Sequence, residues 1–83
     1  MTQAHSDSLT IGERIRDLRV SAGMHQVELA EKIGRHPAAL RNNENGRRNP
    51  DPITISRLAM VFGTTAEYIR TGRETEPAAG KAA

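Results

Sequence analysis

The chain has 83 residues, no cysteine, and 12 basic against 10 acidic residues, which gives a formal net charge of +2. One small domain of modest stability is expected, because a chain of this length buries only about 60% of its unfolded surface. The absence of cysteine excludes disulfides and thiolate metal sites. The longest apolar run, residues 58–62, is far too short to span a membrane. The first ten residues lack the features of a signal peptide, so we expect a cytoplasmic protein.

Arginine dominates the charge of the central segment. Residues 11–72 contain nine arginines and one lysine against seven acidic residues, a balance of +3. An arginine-rich, mildly basic domain is compatible with a polyanionic partner, although ordinary solvated surface charge also explains this composition.

Five short helices and no strands are predicted between two polar tails, residues 1–8 and 73–83, that we expect to be disordered. Each helical stretch ends at a glycine: Gly23, Gly34, Gly46, Gly63 and Gly72. The first helix follows Thr10, a good N-cap, and Glu13 is placed to complete a capping box. Its predicted inner stripe consists of Ile11, Ile15, Leu18 and Ala22.

The second and third helices are predicted at about residues 26–33 and 37–45. The second buries Leu29, Ala30 and Ile33, and the third begins at Pro37, where a missing N–H costs nothing. Only residues 34–36 join the two helices, so they must cross steeply, with Gly34 free to adopt positive φ. This is the geometry of a helix-turn-helix, whose second helix can enter a DNA major groove.

The fourth and fifth helices complete the predicted domain. Asp51 caps the fourth helix, and Pro52 is its first residue. The fifth helix follows Thr65 and stops at Gly72. The expected buried residues of the fourth helix are Ile55, Leu58, Ala59 and Phe62.

The sequence resembles the Cro/phage-repressor (Xre-type) helix-turn-helix regulators over residues 11–72. The matching residues are Gln26, Leu29, Ala30, Gly34, Leu40, Glu44, Asn45, Gly46, Pro50, Leu58, Ala59, Gly63, Thr71 and Gly72. The resemblance implies an all-α, five-helix, lambda-repressor-like DNA-binding domain with the third helix as recognition helix.

Four positions depart from the family pattern. The family usually has Ser or Thr where His25 and His36 stand, a β-branched residue at Arg35, and an aromatic or aliphatic residue at Asn43. We therefore expect weaker capping and packing around the third helix.

The third helix carries mainly polar residues, in the stretch LRNNENG at residues 40–46. Helical spacing places Leu40, Asn43 and Glu44 inward. It places the following residues outward: Pro37, Ala38, Arg41, Asn42 and Asn45. A polar outward face is suited to bind a DNA groove, which is lined by hydrogen-bonding base edges. The alternative interpretation is that this face is ordinary helix surface exposed to solvent.

Each outward residue has a predicted role. Arg41 favours guanine and Asn42 favours adenine as a base contact. Pro37 and Ala38 can at most touch a thymine methyl. His36 contacts a base or a phosphate, or is only a poor helix cap.

Phosphate contacts are predicted on both sides of the third helix. As the resemblance implies, Gln26 and Asn45 are phosphate anchors. Arg47 and Arg48 follow in an exposed loop and can neutralise backbone charge, with a solvated charge run as the alternative. The inward carboxylate of Glu44 needs a cation, and Arg19 is the best candidate, in agreement with the pair that the resembling family has. We predict a separation of about 3 Å.

The predicted function is sequence-specific binding of double-stranded DNA by a transcriptional regulator, a repressor or autoregulator. A homodimer on an inverted-repeat operator is expected, because one short helix touches too few base pairs to select a site. As in similar repressors, the predicted dimer contacts are Pro50, Ile53, Tyr68 and Ile69.

Other functions fit the sequence less well. No nucleophile, base and orienting group can be assembled, so an enzyme is not expected, and no cofactor is implied. The three histidines lack ligand-like spacing, so we expect no metal. The main alternative is an antitoxin-type interaction protein whose chief partner is a toxin, with DNA binding as autoregulation. The 11 residues after Gly72 are almost free of large apolar side chains, which counts against that alternative.

Overall fold

The computed structural model describes residues 9–73, and this part of the chain contains five helices and no strand. The helices are α1 (Ile11–Ser21), α2 (Gln26–Lys32), α3 (Pro37–Glu44), α4 (Pro52–Phe62) and α5 (Ala66–Thr71). The predicted all-α, five-helix fold is confirmed. Both predicted tails lie outside the described residues, apart from Arg73. None of the helices within residues 9–73 has the length and apolar character that a bilayer crossing requires.

Local capping explains where the helices begin. Thr10 and Glu13 form the predicted capping box: the Glu13 amide donates to Thr10 Oγ1 at 3.1 Å, and the Thr10 amide donates to Glu13 Oε1 at 3.0 Å. Asp51 accepts from the Thr54 amide at 3.0 Å and so caps α4. These side chains satisfy backbone donors that a helix start otherwise leaves without partners.

The core lies where α3 packs against α1 and α2, and where α5 packs against α4 and α1. Its buried apolar residues are Ile15, Leu29, Ala30, Ile33, Leu40, Ile55, Leu58, Ala59 and Ile69. The inner stripe predicted for the first helix is wrong at one residue. Ala22 is exposed, because it is the C-cap residue of α1 and lies beyond the last inward turn. Phe62 is only half-buried, at the margin of the core.

Gly12 allows α1 and the end of α3 to approach each other closely. A Cβ atom at residue 12 would lie 2.3 Å from the Asn43 carbonyl oxygen and 2.5 Å from the Glu44 carbonyl oxygen. Any larger residue must therefore push the two helices apart. The position of α3 on the domain depends on this missing side chain.

Arg14 anchors α5 to α1 although it is a charged residue inside the domain. Its side chain is 3% exposed and donates from Nε to the Ile69 carbonyl at 2.9 Å. The Nη atoms donate to the carbonyls of Leu9 at 2.5 Å and Arg70 at 2.8 Å. A cation at the C-terminal end of a helix also complements the helix dipole. The guanidinium thus closes the last turn of α5 onto the start of α1.

Candidate nucleic-acid interface

The turn between α2 and α3 is held from both sides by arginines. Gly34 has a φ of +67°, a conformation that favours glycine. Arg57, from α4, donates from Nη1 to the Ile33 carbonyl at 3.0 Å, and the same atom would lie 3.1 Å from a Cβ at residue 34. A side chain at residue 34 is therefore disfavoured by both backbone and space.

Arg35 joins the same turn to the start of α4. Its Nε donates to Thr54 Oγ1 at 2.8 Å, and its Nη2 lies 3.2 Å from Asp51 Oδ2. The sequence predicted weaker packing here because the family usually has a β-branched residue. Instead, the longer side chain adds a polar link that a β-branched residue cannot make. Hydrogen bonds from Thr54 and the positive charge of Arg35 hold the pKa of Asp51 below its ordinary value of 3.8.

His36 caps α3, which corrects the prediction of a poor cap. Its Nδ1 accepts from the Ala38 amide at 3.0 Å. This bond leaves Nε2 as the only ring nitrogen for a contact with DNA. His25, in contrast, makes no side-chain cap bond to α2.

The two faces of α3 divide as the spacing predicts. Leu40, Asn43 and Glu44 are buried. Arg41 and Asn45 are exposed, whereas Pro37, Ala38 and Asn42 are half-buried. The outward face therefore begins with small apolar residues and ends with polar residues that can hydrogen-bond.

The predicted ion pair of Arg19 and Glu44 is present and bidentate. Nε of Arg19 lies 2.7 Å from Glu44 Oε2, and Nη2 lies 3.1 Å from Oε1. The side chains are 13% and 3% exposed, respectively. Nη1 of Arg19 also donates to the Met24 carbonyl at 2.9 Å. The pair neutralises the one carboxylate of α3 and fixes the orientation of α3 on α1.

Gln26 has a structural partner besides its predicted phosphate contact. Its Nε2 donates to Glu44 Oε1 at 3.0 Å. One of the two amide hydrogens is used in this bond, and the second stays available for a phosphate. The bond ties the start of α2 to the inner face of α3.

The loop after α3 presents two arginines. Arg47 and Arg48 are exposed, and among residues 9–73 neither guanidinium has a hydrogen-bond or ion-pair partner. Asn45 is also exposed, and its Oδ1 accepts from the Arg47 amide at 3.3 Å. The side chains predicted to contact phosphates are thus free to do so.

Sequence reasoning missed Arg16 as a neighbour of the phosphate anchors. Arg16 is exposed and lines a cleft of about 430 Å³ together with Gln26 and Asn45. Its place on the outer side of α1 gave no sign of this proximity, which follows only from the packing of α1, α2 and α3.

The predicted dimer contacts need correction. Ile69 has no exposed surface and Pro50 is buried, because both side chains are used inside the protomer. Ile53 is 56% exposed, and Tyr68 is half-buried. Met60, which the sequence reasoning missed, is 82% exposed, and its i, i+7 spacing from Ile53 places both on one side of α4.

A metal site finds no support in the described part of the chain. No group of three or more His, Asp or Glu residues within residues 9–73 is arranged to hold a metal ion.

The sequence profile of the helix-turn-helix family HTH_3 matches residues 15–69. The chain belongs to the helix-turn-helix family. The HTH-type transcriptional regulator ImmR of Bacillus subtilis (strain 168) is 31% identical, over 74% of this chain and 48% of its own length. The immunity repressor protein of Bacillus phage phi105 is 34% identical, over 81% of this chain and 46% of its own. The chain spans about half the length of these two relatives, which are named as regulator and repressor and not as enzymes.

Solved structures agree with this assignment. The P22 c2 repressor, in complex with a synthetic operator, has a TM-score of 0.75 at 23% identity, with 78% of this chain and 98% of that chain covered. SinR, the master regulator for biofilm formation, in complex with DNA, has a TM-score of 0.68 at 28% identity, with 72% and 97% covered. The predicted fold and family are confirmed.

Proposed function

We propose that this helix-turn-helix domain binds a specific double-stranded DNA site and regulates transcription, as a repressor or autoregulator, in the form of a homodimer on an inverted-repeat operator. The observation that carries the proposal is the outward face of α3. This face holds exposed polar side chains, the one carboxylate of α3 is neutralised by Arg19, and two arginines without partners among the described residues follow it.

Base reading falls to Arg41 and Asn42 in the second turn of α3. Arginine can bind the O6 and N7 atoms of guanine bidentately, and asparagine can bind N6 and N7 of adenine. Pro37 and Ala38, in the first turn of α3, have small side chains. They allow the start of the helix to lie close to the base edges in the groove. There these two residues offer only apolar contact to a thymine methyl.

Phosphate binding falls to side chains on both sides of α3. Gln26 and Asn45 flank the cleft that Arg16 also lines, and Arg47 and Arg48 extend from the loop. The neutral side-chain amides of Gln26 and Asn45 position the domain on the DNA backbone. Each arginine that neutralises a phosphate releases counterions from the DNA. Affinity is therefore expected to fall steeply with salt.

A dimer is required by the size of α3. Its eight residues span about 12 Å, which reaches only about four base pairs. Two copies related by a two-fold axis contact half-sites about 10–10.5 bp apart. Ile53 and Tyr68 are the predicted contacts that offer surface, and Ile53 continues along α4 to Met60. The patch is small, so DNA is expected to stabilise the dimer by mass action.

Comparison with SinR supports DNA as the partner. That protein is 28% identical to this chain and its structure is described as a complex with DNA. The named function of ImmR and of the phage immunity repressor supports regulation of transcription. Occupation of a promoter by the dimer is the simplest mechanism of repression.

The test is selection of binding sites from duplexes with a randomised central segment, followed by titration of the selected site. An inverted repeat should be enriched, two protomers should bind it cooperatively, and an isolated half-site should bind much more weakly. A duplex with the same base composition in scrambled order is the control. Enrichment of no sequence, or a tight complex of one protomer with one half-site, would refute the proposal.

A further inference from the structure

Asn43 occupies a position in α3 where a polar side chain needs an explanation. It is buried, with 8% of its surface exposed, on the inward face that also holds Leu40. The resembling family usually has an aromatic or aliphatic residue at this position. A buried amide costs free energy unless it is hydrogen-bonded, so its partner identifies its role.

The partner of Asn43 is the loop that carries the two arginines. Its Nδ2 donates to the Arg48 carbonyl at 2.9 Å. This bond links the inner face of α3 to the backbone of the residue that ends the arginine pair. An apolar residue at position 43 could fill the space but could not hold this carbonyl.

Three further bonds tie the same loop to the last turn of α3. The amides of Arg47 and Arg48 both donate to the Asn42 carbonyl, at 3.0 and 3.2 Å. The Arg47 amide also lies 3.3 Å from Asn45 Oδ1. All of these partners belong to the end of α3, so the loop backbone is fixed relative to the face that carries Arg41 and Asn42.

We propose that Asn43 is a positioning residue that sets the backbone of Arg47 and Arg48 at a fixed place beside α3, so that both guanidinium groups reach phosphates while α3 lies in the groove. This inference rests on the proposed function. Ordering a loop upon binding costs free energy, and a loop that is already ordered in the free protein avoids that cost. Phosphate contacts also fix the register of a protein on the duplex, so the distance between loop and reading face matters.

The first test is the salt dependence of DNA binding by Asn43→Leu, which restores the apolar residue type of the family. Loss of the Arg48 carbonyl anchor should lower the slope of log affinity against log salt by about one to two units, because one or both arginines lose their phosphate. Affinity for the selected site and for random duplex should fall by the same factor. The matched control is Thr64→Val, a polar-to-apolar change between α4 and α5, which should leave the slope unchanged.

The outcome separates this inference from the proposed function. If the wild type shows no salt-dependent binding to any duplex, the proposed function fails. If the wild type binds and Asn43→Leu keeps the wild-type slope, Asn43 is only a structural residue and the inference fails. A merely structural role would change the melting temperature without changing the number of phosphates contacted.

A second measurement on the wild type keeps the inference open to refutation even if Asn43→Leu does not fold. In the free protein, the amides of Arg47 and Arg48 should have NMR order parameters near those of rigid backbone, about 0.85. They should also exchange with solvent more slowly than the amide of Asn49, which has no such bonds. Order parameters below about 0.6 for both arginines would overturn the inference, because the loop would then not be ordered before binding.

Discussion

Replacement of Arg19 by methionine leaves the Glu44 carboxylate buried without its cation. In the wild type, Glu44 accepts two hydrogen bonds from Arg19, at 2.7 and 3.1 Å, and one from Gln26 at 3.0 Å. Only the neutral Gln26 bond remains in the variant. Methionine has similar length and keeps much of the apolar packing, so the loss of charge is the main change.

The magnitude follows from the burial of the pair. Breaking a buried ion pair by removal of one partner costs about 3–5 kcal/mol. The 13% exposure of Arg19 and the remaining bond from Gln26 place the expected loss at the lower end, about 3 kcal/mol. For a domain of this size the melting temperature should fall by about 12–24 °C. This is a large share of the total, since stability is about 0.05–0.15 kcal/mol per residue.

The assay is thermal and urea unfolding followed by far-UV circular dichroism. Arg19→Met, Glu44→Gln and the double variant form a double-mutant cycle. The double variant should be more stable than Arg19→Met alone, because it buries no charge without a partner. Arg16→Met is the matched control, since it removes an exposed arginine of the same helix and should change stability by less than about 0.5 kcal/mol. The reasoning is refuted if Arg19→Met costs less than about 1 kcal/mol, or if the double variant is no more stable than Arg19→Met.

Three other changes test the remaining contacts. Gly12→Ala should lower the free energy of unfolding by about 2 kcal/mol or more, since the added Cβ meets the α3 backbone. Ser21→Ala, at the other end of α1, is the control. If Gly12→Ala were as stable as this control, the packing argument would be contradicted. Arg14→Met should speed hydrogen exchange selectively in α5, because the last carbonyls of that helix lose their donors. Unchanged exchange in α5, or equal acceleration in all helices, would be inconsistent with the anchor. Asp51 has a lowered pKa, so its contribution is present above pH 3.8 and is lost as the pH falls through the lower folded value. Asp51→Asn keeps the cap but should show a smaller loss of melting temperature than the wild type below about pH 4, and identical pH profiles would contradict a stabilising contribution from the Asp51 carboxylate.

Local features of the sequence predicted the helices well. The capping box of Thr10 and Glu13 and the proline at the start of α4 are signals that act within a few residues, and the structure has both. The buried face of α2 follows from helical spacing alone. Most of the candidate site could therefore be located from the sequence once the helix-turn-helix was identified.

Contacts between distant segments could not be predicted in the same way. Arg14 stands in the inner stripe of α1, three residues after Ile11 and four before Leu18, yet two of its acceptors lie 55 and 56 residues further along the chain. Arg35 likewise pairs with Asp51, 16 residues away. Neither partner can be deduced before the helices are packed.

The choice of Ile69 as a dimer contact was wrong for a related physical reason. Ile69 is apolar and lies near the end of the domain, so it fitted either a core or an interface. The structure uses its whole side chain in the core. Exposure of Met60, in contrast, depends on how α4 is rotated against the other helices, which periodicity gives only approximately.

The central claim is that α3 reads the base sequence while the loop after it binds phosphates without sequence preference. Equilibrium binding by fluorescence anisotropy tests this claim most directly. Arg41→Ala and Arg47→Ala are each titrated with the selected duplex and with a scrambled duplex, over a range of salt concentrations. The account predicts that Arg41→Ala loses about 1–3 kcal/mol on the selected duplex and much less on the scrambled one. Arg47→Ala should lose the same amount on both and lower the salt slope by about one. Equal losses by both variants on both duplexes, with unchanged salt slopes, would contradict it.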